Sequence, residues 1–348
     1  MIWSGVCMSL ATLLMFPKEC RNGATNGVYL CIQVLIPSLF PFMILSDFIV
    51  SSGIGRYIPR IIKNTVGRLF GLSADTTMII LLSAIGGYPV GAAGISSLYR
   101  KKMINETQAE QMSLFCVASG PGFLITYLGV VMLGNAKTGY ILFVSQTIGM
   151  IILGLLSRLL YKPSSTNNPN STLNPPHSFG EALALSVYNG IRSCSNICGL
   201  VVLFSAVFEV IIALIPENSD LILLTAFIEI TGGTKLIAGK ASIVFISAVC
   251  GFGGLCVHFQ IFQQLKGIRI SKVRFYIFRI IQSILNSIIT MLLLKLFPVS
   301  SSVFSTISEP TPMLKGGVSG TIALIICSLA FLFSVKKKAI NTADNQGG

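Results

Sequence analysis

Charge is scarce in this chain. Only 11% of its 348 residues are charged, while 53% are hydrophobic. A soluble domain carries about 25% charged residues. Acids are the scarcest, 12 Asp and Glu against 25 Lys and Arg. Histidine is confined to His177 and His258, and the nine cysteines include no Cys-x-x-Cys. Neither a metal centre nor a disulfide framework is therefore expected, and thiols inside apolar runs read as small hydrophobes. No Walker A loop, His-Glu-x-x-His or Gly-x-Ser-x-Gly occurs. That leaves no sign of an ATP-driven pump or a hydrolase. The polar groups within the apolar runs are isolated, so no enzyme activity and no cofactor are expected.

Long hydrophobic runs are what is present, and the mean hydropathy is +0.79. A spanning helix needs about 20 apolar residues. Such runs cover 28–50, 113–133, 139–160, 183–215, 221–238, 275–297 and 317–335. Residues 2–17 add a short first helix. They lack a basic n-region and a small-x-small cleavage site, so a retained helix is expected rather than a signal peptide. The net charge of +13 does not point to nucleic acid. The basic residues cluster between apolar runs, as in cytoplasmic loops of membrane proteins. This rule places 51–73, 100–112, 161–182 and 266–274 inside. It places 18–26, 134–138, 216–220 and 298–316 outside. Residues 51–73 read either as a basic amphipathic helix on the inner surface or as an ordinary loop.

Two apolar segments are interrupted. Residues 76–99 contain Gly86-Gly87-Tyr88-Pro89-Val90-Gly91, and 241–265 contain Gly251-Phe252-Gly253-Gly254. Glycine and proline at that density oppose a continuous helix. With basic residues on both sides, each segment reads as a re-entrant hairpin, and a Pro-kinked span is the other reading of the first. The two align at an offset of 164, while Asn26-Gly27 and Cys31 align with Asn189-Gly190 and Cys194 at 163. The expected fold is an all-α polytopic membrane protein with about eight spanning helices and two broken or re-entrant hairpins, in two weakly repeated halves. The halves cover 1–160 and 183–338. A polar cytoplasmic linker (161–182) joins them and a polar tail (339–348) follows. Charge places both hairpins on one side; an inverted repeat would place them on opposite sides.

Interrupted segments at matched positions are the sequence-level pointer to a transport site. Candidate binding residues at the interruptions are Gly87, Tyr88, Pro89, Gly91, Gly251, Phe252, Gly253 and Gly254. Gly120 and Pro121 mark a further break. Helix N-termini there would offer N–H donors to an anion, whereas tight helix packing would use the same glycines. Ionisable groups inside spans are functional candidates by default, which adds Glu229 and His258, with Gln260 as a companion. Arg192 and Arg279 read as snorkelling side chains near cytoplasmic ends. Asp47 reads equally as a helix-end or a functional group.

Five stretches occur in order: Ser38-Leu-Phe-Pro-Phe-Met-Ile-Leu-Ser-Asp47, Gly87-Tyr-Pro-Val-Gly91, Gly120-Pro121, Glu229-Ile-Thr-Gly232 and Gly251-Phe-Gly-Gly-Leu-Cys-Val-His-Phe-Gln260. Together they resemble the sporulation integral membrane protein family called YlbJ or SpoVV, within the wider nucleoside-recognition, or Gate-domain, group. The resemblance spans about 27–297. It implies a multi-pass protein of the cell membrane, in the outer forespore membrane during sporulation, moving dipicolinic acid, a small anionic solute. Two positions depart from the family pattern: Ala93 stands where a Lys is frequent, and Ser119 where an Asn is. A nucleoside or other small-metabolite permease is the alternative, and a non-transporting scaffold of a sporulation complex is another. Expected partners are the bilayer, the solute, and a second copy or other sporulation membrane proteins, with no nucleic acid.

Overall fold

A computed structural model describes residues 14–53, 59–73, 76–161, 179–216 and 220–299, with the backbone alone for 60–64. The expected span at 317–335 and the tail lie outside the described residues, as do 2–13 of the first expected span and 162–178 of the linker, whose last residues, 179–182, begin a helix. Every regular element among those described is helical. Five helices are long and apolar enough to cross a membrane: Pro17–Ser51, Ala136–Leu160, Phe179–Leu214, Ile243–Gln264 and Lys272–Leu296. The protein is a multi-pass membrane protein. The expected count of about eight is not reached among the described residues.

The first of these helices is one continuous rod with a π-helical stretch, Cys31–Leu35, between α1 (Pro17–Leu30) and α2 (Ile36–Ser51). The wide turn precedes Pro37, whose missing N–H would otherwise break the ladder. There follow α3 (Arg60–Phe70), α4 (Thr77–Gly86), α5 (Tyr88–Arg100) and α6 (Glu106–Ser113). A π-helical segment, Gly122–Met132, leads to α7 (Ala136–Leu160). The remaining helices are α8 (Phe179–Leu214), α9 (Leu221–Thr225), α10 (Ile230–Ile237), α11 (Ile243–Phe252), α12 (Gly254–Gln264) and α13 (Lys272–Leu296).

Loops rich in Lys and Arg gather at one end of the bundle. There the Arg158 guanidinium donates to the Arg68 carbonyl at 2.9 Å, capping α3. Lys101 Nζ donates to Ser51 Oγ at 2.8 Å. Arg274 pairs with Glu110 at 3.0 Å and donates to Tyr161 Oη at 3.1 Å. These contacts bring residues 51, 68, 101, 110, 158, 161 and 274 to one end, in agreement with the charge-based topology of those loops.

The first interruption is a hairpin. A methyl on Gly94 would stand 2.7 Å from Ile79 and one on Gly91 would stand 2.9 Å from Ser83 Cβ, so α5 folds back along α4. Gly87, at φ +85°, is the tip, a backbone state that favours glycine. Both arms end at the basic end, as the sequence reading expected.

The second interruption is different. The break falls at Gly253, φ +93°, but the chain continues in one direction. Ser287 hydrogen-bonds to Val244, Ser283 to Ala248, and the rings of His258 and Phe262 meet Phe275 and Tyr276. Contacts therefore advance along antiparallel α13 from one end to the other. Residues 243–264 cross the bundle, which corrects the expected hairpin. The fold-back lies upstream, in the segment expected to span. A methyl on Gly233 would collide with Ala226, so α9 and α10 close on each other, with Ile228–Glu229 at the tip. This second hairpin enters from the end opposite the basic one. Opposed hairpins thus coexist with a basic 266–274 loop, because the crossing and the hairpin have exchanged places.

Each side of the linker then has the same order: a long helix, a hairpin, an interrupted crossing (α6 to the π segment; α11 to α12) and another long helix. The two runs point in opposite senses. The first long helices pack antiparallel, a methyl on Gly27 standing 2.8 Å from Val202 Cα and one on Gly190 standing 2.8 Å from Ile44. Asn26 donates to Glu209 at 3.1 Å, and Asn189 donates to Asp47 at 3.0 Å. Asn26 and Asn189 are the aligned repeat residues, so one Asn–acid pair is the rotated copy of the other.

Candidate functional site

Two hairpin tips and two interrupted crossings meet in the bundle. Tyr88, first residue of α5, lays its ring against Gly253, where an added methyl would stand 3.2 Å from the ring. Its hydroxyl donates to the Cys250 carbonyl and accepts from Ser119 Oγ. The glycine of one break thus makes room for the aromatic ring of another. Gly254, φ +75°, lies against Ile228 and Ile230 of the second tip. The first-turn N–H groups of α12 are taken there: Leu255 donates to Phe227 and Cys256 to Ile228, at 2.8 and 3.0 Å. These donors satisfy carbonyls of the second hairpin and are not presented to a solute.

The tips enclose a cavity of about 300 Å³, the lower end of ligand-pocket sizes. Its walls come from α2 (Ser38, Leu39, Phe42), the first tip (Gly87, Tyr88, Pro89), the break before the π segment (Ser119, Gly120, Pro121), the second tip (Glu229, Ile230, Thr231) and α12 (Val257, Gln260). Seven expected site residues are brought together here: Gly87, Tyr88, Pro89, Gly120, Pro121, Glu229 and Gln260. Glu229 is the only charged group among the lining residues. It is 2% exposed and caps α10, accepting from the Thr231 N–H at 2.9 Å and from the Gly232 N–H. A carboxylate at a helix N-terminus is favoured by the dipole.

The other expected residues lie elsewhere. Gly91 lets α5 press onto the Cys116 carbonyl, and Gly251 lets α11 press onto Gln282 and Ser283. Both are packing glycines. Gly253 and Gly254 shape the break behind the wall. Phe252 stacks edge-on with Phe227 and His258. His258, fully buried, is ringed by Phe252, Phe275 and Tyr276, and its Nε2 contacts the Phe252 carbonyl at 2.8 Å. It bridges the break and does not face the cavity. Tyr88 and Phe252, at matched positions of the 164-residue offset, differ in place: Tyr88 lines the cavity and Phe252 does not.

Three buried polar groupings escaped the sequence reading. Asp47 accepts from Ser97 at 2.8 Å and from Asn189, joining α2, α5 and α8. Gln146, Gln282, Asn286, Ser145, Thr290 and Ser247 hydrogen-bond in a ladder between α7, α11 and α13. Arg279 is fully buried, which corrects its reading as a snorkelling side chain, while Arg192 is exposed. The spacing of Arg279, Gln282, Asn286 and Thr290 on one face of α13 was the available signal. No group of His, Cys, Asp and Glu among the described residues is arranged to hold a metal.

No protein-family model and no solved structure matches the chain. It is 23% identical over 327 residues to the sporulation integral membrane protein YlbJ of Bacillus subtilis (strain 168), covering 82% of this chain and 80% of that protein. The five stretches that carried the resemblance lie in α2, at the two hairpin tips and at the two interrupted crossings. Over most of its length the chain is thus similar to a sporulation integral membrane protein.

Proposed function

We propose that this protein is a sporulation-membrane permease that passes a small solute through the cavity between the hairpin tips. The observation that carries the reading is the meeting of two hairpins from opposite ends around a cavity deep in the bundle. Irregular backbone at membrane depth is tolerated where it is buried in protein or lines a cavity. Interrupted helices at the midplane of two inverted halves are the general layout of a secondary transporter. On this reading the two halves are an inverted repeat, and the hairpins gate the cavity alternately.

The cargo taken from the family resemblance is dipicolinic acid, crossing the outer forespore membrane. Its flat ring suits a small cavity walled by Tyr88, Phe42, Leu39 and Pro89. Its charge sets a condition. A dianion would meet the Glu229 carboxylate with no Lys, Arg or His among the lining residues, and like charges in a low dielectric repel strongly. The cargo therefore travels with protons, and Glu229 is the group that carries one. A nucleoside is the second reading, favoured by the same neutral, apolar wall and by a carboxylate able to accept from hydroxyls.

Purified protein in liposomes tests both. The expected result is dipicolinate uptake above empty vesicles, accelerated by a pH gradient and not competed by a nucleoside. Competition by the nucleoside would transfer the cargo to the second reading. Neither uptake nor binding of either solute would leave the scaffold.

A further inference from the structure

Between α6 and the π segment, residues 114–121 run without regular helix through the core. Leu114 to Val117 are wholly buried, and Ala118 and Ser119 nearly so. Buried carbonyls without partners cost free energy, and the break removes the helical N–H groups that would have served these. Arg279 of α13 supplies the donors. One terminal nitrogen donates to the Val117 carbonyl at 2.6 Å and the other to the Leu114 carbonyl. The guanidinium centre lies 5.5 Å from the Phe275 ring centroid. The only salt bridge found among the described residues is Arg274–Glu110, so no carboxylate shares the Arg279 charge. The forked guanidinium offers two carbonyls three residues apart two donors held in a fixed plane, where an ammonium has only rotatable donors on one atom.

We infer that Arg279 is a positioning residue for the cavity: it substitutes for the missing helical turn and thereby fixes Ser119, Gly120 and Pro121 as one wall. Three further contacts link it to the site. Ser119 Oγ donates to the Tyr88 hydroxyl. Gly91 brings the first hairpin onto the Cys116 carbonyl, and Gly120 packs on the Gly87 backbone, where an added methyl would stand 3.0 Å from the Gly87 nitrogen. A shift of 114–117 therefore moves the wall and displaces the first tip. The effect on transport rests on the permease reading; the effect on the wall does not.

The test compares wild type, R279M and R279K in detergent and in liposomes. Cys116, wholly buried within the held stretch, reports wall opening through its reaction with N-ethylmaleimide. Cys31 and Cys194, buried where the first long helix meets α8, are the controls. For R279M the expected result is Cys116 labelling at least about tenfold faster, with Cys31 and Cys194 unchanged; two lost charge-assisted hydrogen bonds suffice for that ratio. R279K restores part of the protection. In liposomes KM for the transported solute rises more than maximal rate falls. If R279M does not fold, amide exchange in R279K decides, with 114–122 faster than wild type and α7 unchanged. Cys116 as protected in R279M as in wild type, or exchange in R279K unaltered or raised uniformly, would overturn the proposal. Wild type that transports nothing while R279M still exposes Cys116 would sink the permease reading and leave this one standing.

Discussion

At the scale of single residues, the decisive facts are which polar groups touch the cavity and which support it. Glu229 touches it; Arg279, Asp47 and His258 do not. Glu229 was visible in the sequence as an acid inside an apolar run, and burial at a helix cap is what makes it informative. Replacing it by Gln keeps an oxygen acceptor for the α10 N–H groups and removes the charge. Under the proposed function, E229Q lowers uptake driven by a pH gradient by about tenfold, equivalent to about 1.4 kcal/mol. Exchange of solute between equal solutions is far less affected. Uptake by E229Q that still follows the gradient would show that the proton travels elsewhere. His258 was equally visible, and it lies outside the cavity lining. A lone imidazole in an aromatic cage with a carbonyl partner is a support, and nothing in residue type separates it from a ligand. Arg279 was misplaced because position along a helix does not reveal what the facing segment lacks. Only the carbonyls at 114 and 117 explain it.

At the scale of elements, the breaks were legible and their geometry was not. Gly87 and Gly253 were both marked by local composition, and both adopt positive φ. Local composition does not distinguish a chain that turns back from one that bends and continues. That difference is decided by partners: α5 has α4 to pack against, whereas α11 and α12 each find α13. The second hairpin was hidden because Leu221–Ile237 is long enough to resemble a span, and its turn at Ile228–Glu229 contains no proline or glycine. The assignment has a direct test. Lys240, between α10 and α11, and Lys266, after α12, are both exposed. In right-side-out vesicles, K240C is expected to react with a membrane-impermeant thiol reagent added outside, and K266C only when the reagent is inside. Labelling of both from one side would restore the hairpin at 241–265 and remove the opposed arrangement.

At the scale of the whole molecule, the faint repeat in the sequence proves to be a clasp. Asn26 with Glu209 and Asn189 with Asp47 are the same contact made twice by antiparallel helices. The two copies are unequal in burial. Asp47 is 8% exposed and also holds Ser97, whereas the Asn26–Glu209 pair is exposed. N189A is therefore expected to lower stability by about 1–3 kcal/mol, the cost of an unsatisfied buried partner. N26A stays within about 0.5 kcal/mol, as for exposed substitutions. Unfolding midpoints in detergent compare them, and equal shifts would contradict the asymmetry. The sense of the repeat was beyond the sequence because an offset near 163 aligns residues without orienting them. An odd number of crossings among the described residues on each side of the linker orients them, and those crossings could be counted only once the hairpins were told apart.

The clasp also bears on how the protein is made. Ribosomes deliver the first long helix well before its partner at 179–214, so until α8 is made Asp47 has only Ser51 and then Ser97 as donors and lacks Asn189. Unpaired polar side chains are costly in hydrocarbon. The clasp therefore closes only once α8 is made, and each half completes a polar contact of the other across the linker.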